Sequence, residues 1–392
     1  MRLTMKERRT VTKALCGQYR KAGKRERGRI LAQFTEATGY NRHYAAWLLR
    51  HHGKRVEVKP CLVLEGDIRT RCQHPRKRHY GPEMVKALKQ VWEFMDFICG
   101  KRLAPMLPEV VPHLVACREL KITKSIQKQL MTISPATIDR LLKPERAKHT
   151  LKSRSRTKPG TLLKHQVPIR TFSDWEDTSP WFLEIDRVGH DGGRAEGDYC
   201  FTLDVTDVAT GWSELAAVPN KAQTWVFEAL QTLRRRLPFT VLGIDSDNGS
   251  EFINHHLVAY CNDQRITFTR SRPYRKNDTC YVEQKNWSIV RRYAGYARFD
   301  TKAACELLNE LYQLLHDYTN FFLPSMKLIE KVRDGARVYK RHDTAKTPYQ
   351  RVLDSKTVPK AVKERLRRRY EQLNLAALNR RLRCLQKRLN TL

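Results

Sequence analysis

Hydrophobic and polar positions divide the chain into a helical first third, a mixed middle and a helical end. From Arg25 to Thr38 the apolar residues Ile30, Leu31 and Phe34 recur on one side of a helix. A shorter periodic run from Thr10 to Tyr19 precedes it, and Gly39 stops it. Asn41 is a good cap for a third helix, with Tyr44, Trp47 and Leu48 facing inward and Arg42, His43 and Arg50 facing out. Helix, glycine turn and basic helix form a helix-turn-helix pattern; the plainer alternative is a helical bundle with a solvated basic face. Pro60, Pro75 and the run Arg76-Lys77-Arg78 mark 54–80 as an irregular basic linker. A second helical block opens at Pro82, a suitable first helical position, and places Met84, Leu88, Val91, Trp92 and Met95 at helix spacing. Another helix covers about 108–119. Ser134 as cap and Pro135 behind it begin a further one, whose Ile138, Leu141 and Leu142 resemble a second recognition helix.

Near Trp181 the period changes. Strands are predicted at 181–188, 199–205 and 212–218, joined by turns at Asp191-Gly192-Gly193 and Thr210-Gly211. A helix at 222–236, a strand at 240–245, a helix at 251–262 and a strand at 266–269 follow. Helices at 278–296 and 302–319 complete an α/β core. Beyond Phe322 the chain is rich in Lys and Arg, and from Pro359 a long helix carries Leu366, Tyr370, Leu373, Leu378, Leu382, Leu385 and Leu389. The phase breaks between Leu373 and Leu378, which argues against a clean coiled coil. Docking on the same chain and pairing with a second protomer both remain open. The expected organisation is thus a helix-turn-helix module over 1–60, a second helical module over 80–145, a basic linker over 146–175, the core over 176–325 and a basic, mainly helical region over 326–392.

Charge narrows the choice of partner. Lys and Arg number 75 against 41 acids in 392 residues, a net charge of +34. An excess of that size is normally tolerated because a polyanion binds it, and nucleic acid is the first choice. A membrane is disfavoured: no run of eighteen apolar residues exists. The N-terminus is charged and lacks an apolar signal segment, so a cytoplasmic location is expected. The linker piece Lys152-Ser-Arg-Ser-Arg-Thr-Lys, with Lys152, Arg154 and Arg156, suits phosphate tracking. Ten cysteines without any CxxC read as reduced thiols.

Candidate chemistry lies in three acids. Asp186 ends the strand sequence Phe-Leu-Glu-Ile-Asp, Asp247 stands in Asp-Asn-Gly-Ser-Glu-Phe, and Glu283 stands in Tyr-Val-Glu-Gln-Lys-Asn thirty-five residues beyond Asp247. Carboxylates at two strand ends and on a helix can converge, and like charges ~4 Å apart cost about 4 kcal/mol at an effective dielectric of about 20. A divalent cation with a taste for hard oxygen removes that cost. On the last helix Glu283 and Asn286 share a face. Glu184 and Asp245 lie two residues before Asp186 and Asp247 and are the rival acids. His190 is a candidate for orienting DNA or a carboxylate, and equally for a buried structural role.

These residues, with Pro273-Tyr274 and the spacing, resemble the catalytic core of retroviral integrases and the DDE transposases of bacterial insertion sequences over roughly 181–322. Lys276 and Cys280 depart from the family pattern, in the loop before the last acid. The resemblance implies a ribonuclease H-like core with a mixed five-stranded sheet. It also implies two Mg²⁺ or Mn²⁺ ions held by Asp186, Asp247 and Glu283, and attack by water and then a 3′-hydroxyl on DNA phosphodiesters. Arg42, His43, Arg50, Lys152, Arg154, Arg156, Lys276 and Asn286 are the expected DNA contacts. The partners implied are double-stranded transposon ends and target DNA, with a homo-oligomer on the DNA and a bacterial, nucleoid-associated setting. Some relatives carry a His-His-Cys-Cys zinc module; Cys61 and Cys72 are too far apart to imitate it. Thr347-Pro348-Tyr349-Gln350-Arg351 resembles a short packing motif found after such cores. The competing readings are a DNA-binding regulator that has lost catalysis and a nuclease that only cuts.

Overall fold

A computed structural model of the chain describes residues 3–59, 62–65, 79–147, 181–246, 255–271, 280–334 and 337–392. It divides into two compact units, Met1–His79 and Tyr80–Leu392.

The first unit is a three-helix bundle. Helix α1 (Met5–Lys21) opens with a capping box in which Thr4 and Glu7 satisfy each other's backbone N–H groups. Helix α2 (Lys24–Thr38) ends at Gly39, whose φ of 68° is a left-handed stop. Helix α3 (Arg42–His51) is capped by Asn41, whose Oδ1 accepts from the His43 amide at 2.9 Å. Tyr19, Phe34, Leu48 and Leu49 are among its core residues. Tyr44 does not point inward as its spacing suggests. It is 43% exposed, set edge-on to Tyr40 and stacked toward Trp47, because Ala45, Leu48 and Leu49 take the centre of the buried face. The stretch read as an irregular linker contains two antiparallel strands, β1 (Arg55–Lys59) and β2 (Leu62–Glu65).

In the second unit a helical layer comprises α4 (Pro82–Phe94), α5 (Gly100–Leu103), α6 (Leu107–Ala116), α7 (Lys124–Thr132) and α8 (Pro135–Arg146). Ser134 caps α8 and Pro135 fills its first turn. Helix α7 has no counterpart in the sequence reading: one residue, Leu130, is buried, so its periodic signal is weak. Residues of this layer, such as Leu88, Val91 and Leu107, belong to the same hydrophobic core as the sheet and the C-terminal helices.

The sheet contains β3 (Phe182–Gly189), β4 (Phe201–Asp207), β5 (Ser213–Val218), β6 (Gly243–Ser246) and β7 (Thr267–Arg270), in the spatial order β5-β4-β3-β6-β7. Strands β3, β4 and β5 are antiparallel neighbours, whereas β6 and β7 run parallel to β3. The parallel members are reached through α9 (Gln223–Arg236) and α10 (His255–Asp263), the crossover that parallel pairing requires. All seven residues of β4 are buried, so it carries apolar and polar side chains into protein on both faces.

Helix α13 (Lys302–Phe322) closes the open edge at β5. Asn320 accepts from the Ser213 amide at 3.0 Å and donates to the Ser213 carbonyl at 2.9 Å. Three turns earlier Asn309 does the same for Ala217, at 2.9 and 3.0 Å. The two asparagines supply the partners that another strand would have offered.

After the core comes an exposed hairpin, β8 (Leu328–Asp334) and β9 (Arg337–His342), that the sequence reading did not contain. The Thr347–Arg351 motif forms a capping box and the start of α14 (Pro348–Asp354), and Tyr349 stacks on Tyr370 with centroids 5.1 Å apart. The predicted long helix is two: α15 (Lys360–Gln372) and α16 (Leu375–Leu389), divided where the apolar phase breaks. Leu375, Leu378, Leu382, Leu385 and Leu389 are buried in the core of the same chain.

Candidate active site

Asp186 lies midway along β3, the central strand of the sheet, rather than at its end, and is partly exposed. Its Oδ1 accepts from the Arg187 amide at 2.7 Å, and its Oδ2 accepts from Asn286 Nδ2 at 2.6 Å. Asn286 belongs to a helix that begins as α11 (Cys280–Lys285), passes through a π-helical stretch over Asn286–Arg291 and ends as α12 (Arg292–Ala294). Glu283 stands one turn before Asn286 on this helix and is exposed. Asn286 thus ties Asp186 to the helix that carries Glu283 one turn earlier. Asp247 lies outside the described residues, as do Lys152, Arg154, Arg156 and Lys276. Arg42, His43 and Arg50 are exposed on α3.

Beside Asp186, on the same face of the sheet, stand further acids. Glu184 is fully buried and its Oε2 accepts from the amides of Tyr281 and Val282, at 2.9 and 2.8 Å. Asp245 is Glu184's register partner on β6 and accepts from Thr269 Oγ1 at 2.6 Å. Asp204, opposite Asp186 on β4, is fully buried and accepts from Thr206 Oγ1 at 2.9 Å. Burial pushes the Glu184 carboxyl up to about 8, helped by the charges of Asp245 and Glu283 and opposed by its two amide bonds. Burial likewise lifts Asp204 to about 8, with Asp186 adding to the effect and Thr206 and Lys285 opposing it. Desolvation lowers the Lys285 ammonium to about 8, although Asp204 beside it favours the charge. The site is thus crowded with acids that resist ionising together.

The rival acids of the sequence reading are the ones that lie inside: Glu184 and Asp245 have 0% and 1% of their surface exposed, while Asp186 and Glu283 reach solvent. A divalent cation suits hard carboxylate oxygens, and those are the donors Asp186 and Glu283 present. Among the described residues no group of three His, Cys, Asp or Glu side chains is arranged to hold a metal. His190 has its Nε2 2.7 Å from Thr202 Oγ1, which in turn meets the Tyr312 hydroxyl, and its ring lies against Phe299. Burial, with Arg291 nearby, lowers it to about 3. It is a neutral, fully buried part of the fold.

What sequence reasoning missed is the anchoring of α11 by Glu184 and of Asp186 by Asn286. The first carried no signal, because its partners are 97 and 98 residues away in the chain.

The five-stranded sheet is mixed, with its first strand at the centre and helices packed on it. No family model matches the chain. The chain is 38% identical over 350 residues to the uncharacterized protein y4rM of Sinorhizobium fredii, covering 89% of this chain and 96% of that one, and it belongs to the same family. Among solved structures it is similar to the catalytic core domain of BIV integrase, at 22% identity and a TM-score of 0.29 over 43% of this chain and 91% of that one. It is also similar to the HTLV-2 integrase catalytic core domain in complex with magnesium, at 13% identity and a TM-score of 0.29 over 38% of this chain and 90% of that one. Among the described residues no helix is long and apolar enough to cross a membrane.

Proposed function

We propose that the chain is a DNA transposase of the integrase-like DDE class, which cuts DNA strands and joins them in a metal-dependent reaction. One observation carries this reading: Asn286 ties Asp186 to the helix that bears Glu283, and both acids reach solvent. Asp247, thirty-five residues before Glu283, is the third acid of the proposed triad. Asp186, Asp247 and Glu283 would hold two Mg²⁺ or Mn²⁺ ions, which would supply charge stabilisation for a phosphodiester displacement.

In the first step a water oxygen forms a bond to a phosphorus of the element's end. The 3′-oxygen leaves as a hydroxyl, and the water's second proton passes to solvent. In the second step that 3′-hydroxyl attacks a target phosphodiester and displaces its 3′-oxygen, so the number of phosphodiester bonds is unchanged. Asn286 fixes the rotamer of Asp186 throughout. Arg42, His43 and Arg50 on α3 and the arm with Lys152, Arg154 and Arg156 are proposed to grip phosphates and terminal sequence, and Lys276 to contact DNA near the acids. Pairing of two ends implies more than one protomer on the DNA.

The test compares wild type with Asp186→Asn, Asp247→Asn and Glu283→Gln on a labelled terminal fragment in Mg²⁺, with binding measured on the same preparations. Loss of ~4 kcal/mol of transition-state stabilisation is about a thousandfold in rate, while binding should hold or rise slightly as a negative charge is removed. Asp245→Asn should not show this split. Full cleavage by Asp186→Asn would refute the triad. A folded, DNA-bound wild type without activity in any divalent metal would make the protein a regulator.

A further inference from the structure

Helix α11 is described from Cys280 onward. The first amides of any helix lack intrahelical partners, and a Ser, Thr, Asp or Asn just before the first turn usually supplies one. Here Glu184, on the central strand, accepts from the amides of both Tyr281 and Val282. Glu184 is fully buried, and among the described residues its other oxygen, Oε1, has no hydrogen-bond partner.

From this we infer that Glu184 is a positioning residue, which locks the start of α11 to β3 and thereby sets where Glu283 stands relative to Asp186. The inference rests on the proposed DDE reading for its functional consequence, and on the hydrogen bonds alone for its structural one. Its geometry is specific. Residues 184 and 186 point to the same side of β3, about 6.6 Å apart along the strand. Glu184 holds the helix at Tyr281 and Val282, and Asp186 holds it at Asn286. Four to five residues of helix span about 6–7.5 Å. The two tethers are therefore commensurate, and Glu283 falls between them. One tether alone would leave the helix free to rotate or slide; two fix its phase. A fully buried acid is a costly way to hold a helix, and its position two residues before Asp186 gives that cost a purpose. A glutamine could accept the same two bonds, so the charge is not what the helix needs.

The experiment uses the full-length protein and the variants Glu184→Ala, Glu184→Gln and Glu184→Asp. Amide hydrogen exchange is followed at Tyr281 and Val282 without metal or DNA. Mn²⁺ binding and strand cleavage are then measured on the same samples. Loss of the two bonds in Glu184→Ala should speed exchange at these amides by about tenfold or more, weaken Mn²⁺ binding by about tenfold and lower cleavage accordingly. Glu184→Gln should rescue most of all three. Glu184→Asp, one methylene short, should resemble the alanine variant and serves if that one fails to fold. Unchanged exchange in Glu184→Ala or Glu184→Asp would overturn the inference. So would a Glu184→Gln protein with normal exchange and no Mn²⁺ binding, since Glu184 would then be a metal ligand itself. A wild type that neither binds Mn²⁺ nor cleaves DNA would sink the DDE reading; faster exchange in the alanine variant would still establish the tether.

Discussion

A single histidine shows how burial decides chemistry at the residue scale. His190 is fully buried against Phe299 and beside Arg291, which holds it neutral with its titration lowered to about 3. In the unfolded chain it titrates near 6.5. The depressed folded value means that the stability it contributes is complete above that pH and is lost as pH falls from 6.5 toward 3. Acidification from pH 6.5 to 4.5 should remove about 2–3 kcal/mol through this group. His316 works the other way: its bond and charge contact with Glu214 outweigh burial and raise it, so it favours the fold as pH falls. The useful measurement is thus a comparison of wild type with His190→Gln by urea unfolding at both pH values. The variant should be weaker at pH 7 and lose less on acidification. Equal losses in the two proteins would show that His190 is not held neutral.

At the scale of elements, the open edge of the sheet depends on two asparagines of α13. Asn320 is fully buried and bonds both backbone groups of Ser213; Asn309 serves Ala217 in a half-buried setting. Removing a buried partner leaves backbone groups unsatisfied at a cost of about 1–3 kcal/mol each. Asn320→Ala should therefore destabilise the second unit by about 2 kcal/mol or more, and Asn309→Ala by less, since water can reach the groups it leaves. Thermal unfolding of both variants checks the order, and an Asn309 loss larger than the Asn320 loss would contradict it. The same helix edge joins the aromatic group in which Phe321, Tyr349 and Tyr370 stack. This is how a short motif and the final helices come to rest on the core.

For the whole molecule, the division of the chain at His79 makes a prediction about fragments. Residues 1–79 hold their own core of Tyr19, Ile30, Leu31, Phe34, Leu48 and Leu49. Residues 82–146 bury Leu88, Val91, Trp92 and Leu107 in a core shared with the sheet. A 1–79 fragment should melt cooperatively and stay monomeric, whereas a 1–145 fragment should expose apolar surface and bind a hydrophobic dye. If α3 reads terminal DNA, the short fragment should prefer end sequence over random DNA. Its affinity should fall with salt by a slope of about −0.9 for each phosphate contact. Equal binding to both sequences at every salt concentration would remove the recognition role from this unit.

Much of this architecture was legible in the order of residues. Strand and helix positions follow from short-range causes: period, capping by Asn41 and Ser134, the glycine stop at Gly39, and the proline starts at Pro82 and Pro135. The phase of the leucines broke between Leu373 and Leu378, but one long helix was read across it where there are two. The acids Asp186 and Glu283 stood out through motif and spacing. Other features leave no local trace. The strands β8 and β9 are exposed and charged, so they lack the alternation that marks a half-buried strand, and β1 and β2 were hidden in a basic stretch. That Glu184 holds α11, that Asn320 completes the edge of β5, and that the helical layer over 82–146 shares one core with the sheet were decided only in three dimensions. The reason is range. Propensity and periodicity act over a few residues, whereas a buried carboxylate is satisfied by whichever amide the packed chain brings within 3 Å, here one nearly a hundred residues away.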